Sequence, residues 1–277
     1  VMAYMTVLYI EFLPIVTERF IGNVNMPGPL AVLNQPADRL LRLLDRGLSK
    51  VMFAFIIGGV VLSCLHQSSL GTLMMIAGPK MHPLWQTPIL PLLFLLSAIA
   101  VGFPMVILES LLLARSFGLR PEKEILSRLS NYVVPLLSVY LAFKIGDMVI
   151  RETFVYLTEV TVESVLFIVE VVVGVIVPLR MLFSRTVRRS MTGILTASSL
   201  VVMGVVLNRI NNFITAYTPS YSLGQTYFPS IGEISVTVGF AALLVLLYRA
   251  LVMIFPVSSR PYRAVTRSKY AIRSVSE

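Results

Sequence analysis

A chain of 277 residues that is 56% hydrophobic and 13% charged, with a mean hydropathy of +0.84, is not a soluble globular protein, since about a quarter of the residues in such domains are charged. Its single cysteine, Cys64, excludes an internal disulfide and a thiolate cluster for zinc or iron–sulfur. The net charge of +9 reads as membrane topology and affinity for anionic lipid, and nothing in it points to nucleic acid.

Apolar runs punctuated by Pro, Gly and charge predict an all-α, polytopic transmembrane helix bundle of about seven spans: 1–16, 51–70, 88–112, 131–150, 163–181, 190–208 and 233–255. The chain opens on Val1 with an apolar run already under way, so further residues are expected upstream. Five Lys and Arg lie in 17–50, four in 113–130, four in 180–189 and five in the tail from Ser258, whereas 71–87, 151–162 and 209–232 hold one each. The positive-inside bias therefore places the rich loops and the C-terminus in the cytoplasm. Residues 1–256 are expected to form the transmembrane domain and 257–277 a basic cytoplasmic tail.

Polar residues inside these spans mark functional candidates, because they are costly in lipid and face a bundle interior or a water-filled cavity. Glu11, in "LYIEFLP", falls near mid-membrane and is a candidate for proton transfer. The row His66, Gln67, Ser68 and Ser69 interrupts the second span about 22 Å along it, in its outer half. Glu109, in "VILES", approaches the cytoplasmic side of the third span and is a second proton-transfer candidate. Lys144, Asp147 and Arg151 end the fourth span at the outer face, with Asp147 and Arg151 at the i,i+4 spacing of a helical ion pair. Glu163 and Glu170 enter the fifth span from that same face, Asn208, Arg209, Asn211 and Asn212 end the sixth, and Glu233 opens the seventh. Trp85, in "KMHPLWQTP", reads as an interfacial anchor.

The donor set narrows the chemistry. A bis-histidine haem needs two membrane histidines, and the chain offers His66 in a helix and His82 in a loop. Ser68, Ser69 and His66 are adjacent in sequence, which does not make a catalytic triad. No metal site is expected. A histidine, an amide and hydroxyls against apolar walls suit a quinone head group, with His66 as donor and proton relay and Gln67 or Arg209 on a carbonyl. A secondary transporter or proton channel is the alternative from another class.

The stretch "LHQSSLGTLMMIAGPKMHPLWQTPILPLLFLLSAIAVGFPMVILES" (65–110) closely resembles the integral membrane subunit of Hyb-type nickel–iron hydrogenases, within the wider NrfD/PsrC, or polysulfide reductase membrane subunit, family. "VLYIEFLP" (7–14), "KIGDMVIRE" (144–152), the helix of Glu170 and "YFPSIGEISVTVGF" (227–240) extend the likeness to about residue 255. The resemblance implies a subunit of the bacterial or archaeal cytoplasmic membrane that holds no redox centre of its own. It implies a four-cluster ferredoxin-like iron–sulfur subunit docked on the outer face and fed by a hydrogenase or a related catalytic subunit. Electrons would pass to menaquinone or ubiquinone near His66, Gln67, Ser68, Asp147, Arg151 and Arg209, with Glu11, Glu109 and Glu170 handling protons. Members of the family carry further N-terminal helices, so the chain is expected to be truncated there.

Overall fold

The structure is a computed structural model that describes residues 2–21, 34–118, 123–217 and 229–254. These residues are overwhelmingly helical. The helices are α1 (Met2–Phe20), α2 (Asn34–Ala77), α3 (Leu90–Phe117), α4 (Lys123–Ile150), α5 (Val162–Val171), α6 (Val177–Phe183), the short α7 (Arg185–Arg189), α8 (Met191–Ile210) and α9 (Ile231–Ile254). Among the described residues six segments are long and apolar enough to cross a membrane: Asn34–Lys80, Leu90–Ser116, Lys123–Ile150, Val162–Phe183, Met191–Thr215 and Ile231–Ile254. The predicted first span is also a helix, α1, but Glu11, Glu18 and Arg19 within it leave it outside that set. The chain is thus a polytopic helical membrane protein. The basic tail, 257–277, lies outside the described residues.

Residues 1–60 and 229–277 form one unit, and residues 61–228 another. In the first unit the carboxylate of Glu11 lies directly against Gly59 of α2, where a β-carbon would collide with it. Most side chains of α9 are exposed, as suits a helix whose apolar surface faces lipid.

The second unit packs α3 on α4 and α8, and α8 on α6 and the turn before it. Its interior is layered. Leu93, Ala100, Leu137, Tyr140, Val175 and Val201 form a middle layer, with Ile107, Leu111, Leu126 and Ile194 beyond it. At the end where the 81–89 loop enters α3, Met74, Trp85, Leu90, Phe94 and Phe167 pack together. Gly71 brings α2 up to the start of α3, where an added Cβ would lie 2.9 Å from the Leu90 carbonyl oxygen and from the Pro91 Cα.

Two turns of π-helix break the α-helical register of this unit, at Val172–Ile176 between α5 and α6 and at Asn211–Thr215 after α8. The first has a local cause. Pro178 follows it; it cannot donate to the carbonyl of Gly174 and would crowd it in regular α-helix, and widening the turn relieves that conflict. The same turn lays Gly174 directly on Gly204 of α8, a close backbone approach of the kind that small residues permit between membrane helices.

Candidate functional site: a buried ion pair beneath a polar cavity

Tyr140, Lys144, Asp147, Met148 and Arg151 recur at spacings of three and four residues, which places them along one face of α4. Lys144 is 7% exposed and Glu170 of α5 is 1% exposed. A lone charge at such depth costs several kcal/mol, so each must be paired and hydrogen-bonded. They pair with each other: the Lys144 ammonium donates to Glu170 Oε1. Oε1 also accepts from Asn208 Nδ2 (2.8 Å), and Oε2 accepts from Trp85 Nε1 (3.0 Å) and Asn211 Nδ2 (2.9 Å). Four donors thus occupy the acceptor sites of one carboxylate. Lys144 Nζ also lies 4.9 Å from the centre of the Phe167 ring and 3.5 Å from the Tyr140 hydroxyl.

The π turn at Asn211–Thr215 gathers the amides. With one extra residue in the turn, closed by the Ala216 amide donating to the Asn211 carbonyl (2.7 Å), Asn208, Asn211 and Asn212 all become buried. The following residue holds the loop that carries Trp85: the His82 amide donates to the Ala216 carbonyl (2.8 Å), and Met81 bridges Tyr217. The His82 ring packs edge-on against Trp85 and Tyr156 and accepts the Leu84 amide at Nδ1. Burial lowers the pKa of that imidazole, with the Glu163 carboxylate opposing in part. Trp85 is 3% exposed, so it serves as a hydrogen-bond donor to the ion pair and not as an interfacial anchor.

The i,i+4 pair read from the sequence is formed. Arg151 Nε donates to Asp147 Oδ2 (2.9 Å), and Thr87 Oγ1 donates to Asp147 Oδ1 (2.8 Å). Arg151 Nη1 also donates to the carbonyls of Gln86 and, at 3.3 Å, Pro83, which ties the loop to the end of α4. Between the two ion pairs lies a small cavity lined among others by Trp85, Tyr140, Lys144, Asp147, Arg151 and Asn212. Arg209 is outside that lining. It donates from Nη2 to Ser97 Oγ (2.8 Å) and from Nη1 to Asn208 Oδ1 (2.8 Å), with its guanidinium 3.6 Å from the centre of the Phe94 ring.

The structure therefore brings Asp147 and Arg151 to the same cavity as Lys144, the partner of Glu170, and joins Arg209 to Glu170 through Asn208. It does not bring His66, Gln67 and Ser68 to that cavity. His66 and Gln67 are half-exposed on α2, with no side-chain hydrogen bond among the described residues, and Ser68 Oγ donates to the Pro91 carbonyl at 3.1 Å. Glu109 stands exposed on α3. Sequence reading passed over Tyr140, Thr87 and Ser97 because one aromatic or hydroxyl residue in an apolar run carries no sign of its partner. Among the described residues no three His, Cys, Asp or Glu side chains gather as metal ligands would.

The family described as polysulphide reductase, NrfD matches residues 1–219. A protein of Escherichia coli (strain K12) named "Probable Ni/Fe-hydrogenase 2 b-type cytochrome subunit" is 31% identical over 257 residues, covering 92% of this chain and 60% of that protein. A protein of Nitratidesulfovibrio vulgaris (strain Hildenborough) is 31% identical over 265 residues, covering 93% of this chain and 63% of its own length. The chain spans less than two thirds of these curated relatives, and no solved structure matches it. With six membrane-length helices among the described residues and a match over residues 1–219, the chain belongs to the polysulphide reductase NrfD family.

Proposed function

We propose that this chain belongs to the quinone-binding integral membrane subunit of a respiratory oxidoreductase, hydrogenase-linked, which passes electrons from an iron–sulfur subunit to menaquinone. Family membership carries the reading, and the likeness to a protein named as a Ni/Fe-hydrogenase subunit supports its hydrogenase-linked form. The polar loop end of the second unit is taken to be the outer face, with the basic loops and C-terminus in the cytoplasm. Reduction of a quinone takes up protons as well as electrons, so the site needs a group that delivers protons beside the head group. His66 fills that role, since its imidazole makes no side-chain hydrogen bond among the described residues and an imidazole can donate to a quinone carbonyl and relay a proton. Gln67 lies next to it in sequence and offers a second donor. Asp147, Arg151 and Arg209 hold the face on which the iron–sulfur subunit docks. Glu11, held against Gly59, and Glu109 are the groups through which protons enter.

His66→Ala is expected to abolish reductant-dependent quinone reduction in the assembled complex while leaving the amount of complex in the membrane unchanged. Co-purification of the partner subunits, measured beside quinone reduction, separates loss of chemistry from loss of assembly. Wild-type rates in this variant would remove His66 from the site.

A further inference from the structure

One buried polar atom in the second unit has no protein partner among the described residues: Oδ1 of Asn212, a residue with 0% exposure. The orientation of the amide is fixed, because Nδ2 donates to the Asn208 carbonyl at 2.7 Å and the flipped rotamer would set two oxygens against each other. An unmet acceptor in such a place costs about 1–3 kcal/mol. Asn212 lines the cavity between the two ion pairs, facing the same space as Lys144 and Tyr140. Tyr140 receives the Lys144 ammonium, and its own proton has no acceptor among the described residues. The cavity therefore holds an acceptor in need of a donor, a hydroxyl in need of an acceptor and an ammonium.

We propose that the Asn212 cavity is a water-binding site, in which a water donates to Asn212 Oδ1 and accepts from Tyr140 or Lys144. Water fits all of these demands at once, being donor and acceptor, and polar cavities with two to four such partners are where buried waters reside. The site changes the standing of the ion pair below it. Lys144 lines the wetted cavity, whereas Glu170 lines a second cavity, with Ser97, Gly174 and Gly204, on the other side of the pair. Tyr140 and Asn208 line both. On this reading the pair borders a water site and is not sealed in an apolar core.

Hydroxyl-radical footprinting by X-ray radiolysis of the full-length protein in lipid nanodiscs tests this, because a bound water generates the radical beside buried side chains that bulk radicals do not reach. In the wild type, Trp85 and Tyr140, 3% and 4% exposed, are expected to label to an extent comparable with the exposed Tyr132. In Asn212→Leu their labelling falls to background while that of Tyr132 is unchanged, and in Asn212→Ser, which keeps a polar oxygen, it persists. Background labelling of Trp85 and Tyr140 in the wild type overturns the proposal whatever the variants do to folding, and so does equal labelling of both residues in wild type and a folded Asn212→Leu.

Discussion

Glu170→Gln, with Lys144 intact, is expected to destabilise the second unit by about 3–5 kcal/mol, the usual effect of breaking a buried ion pair from one side. The reason is the charge left behind. Lys144 is 7% exposed, and with residue 170 neutral its ammonium keeps only uncharged partners: the amide oxygen that replaces the carboxylate, the Tyr140 hydroxyl and the Phe167 ring. Removing one neutral donor to the same carboxylate is a smaller change: Trp85→Phe and Asn211→Leu should each cost about 1 kcal/mol, the scale of hydrogen bonds between membrane helices. The double variant Lys144→Met/Glu170→Gln removes both charges and retains an amide that accepts from Trp85 or Asn211, so it should recover most of the loss. Unfolding midpoints in a detergent–denaturant titration of the wild type, Lys144→Met, Glu170→Gln and the double variant form a double-mutant cycle. Strictly additive losses would mean that the two side chains are not energetically coupled, contrary to the arrangement described.

The second large effect concerns the close backbone approach of Gly204 to Gly174. A Cβ built on Gly204 falls 2.8 Å from the Gly174 carbonyl oxygen and 2.9 Å from its carbonyl carbon, so even alanine must push α8 away from the π turn, and valine must push it further. Overpacking of this kind costs about 1–3 kcal/mol. Here the neighbour is backbone and cannot rotate aside, so Gly204→Val should lie at or above the top of that range. Because Glu170 is one turn from Gly174 and Asn208 one turn from Gly204, the displacement also loosens the Asn208 contact to the ion pair. Gly146 supplies the control, having nothing within 4 Å of a built Cβ. Gly146→Ala is expected to be neutral or mildly stabilising through helix propensity alone. Equal thermal stability of Gly204→Val and wild type would contradict the packing.

What could be read from the sequence divides along chain separation. The span pattern was legible because each helix must cover the hydrocarbon with its own residues. Asp147 and Arg151 were legible because i,i+4 spacing is a property of one helix. The Lys144–Glu170 pair was not, since its members lie 26 residues apart on different helices, and Trp85 stands 85 residues from the carboxylate it serves. Nothing local tells an interfacial tryptophan from one that donates into a buried network. The π turns escaped for another reason: Pro178 announces a disturbance of the helix, but whether it is met by a kink, a break or a widened turn depends on what Gly174 packs against. Helix α2 shows the limit of reading by hydropathy, because the polar, basic stretch from Asn34 continues without a break into the apolar span. The polar row at His66 was correctly placed on that helix, yet the network at the end of α4 gathered around Glu170 instead. Glu170 thus has two roles to reconcile. As proton-transfer candidate it needs a free site, and its four donors leave it none, so within this ground state it acts to hold the charge of Lys144.

The most direct test of the central claim is electron transfer itself. The full-length subunit, purified in lipid with the iron–sulfur and catalytic subunits proposed for it and reduced through them, is mixed with a menaquinone analogue while the oxidation of the proposed iron–sulfur centres is followed spectroscopically. The proposed function predicts saturable, quinone-dependent reoxidation that is lost in His66→Ala. Reoxidation by a soluble dye but not by any quinone, with all partner subunits present, would contradict it.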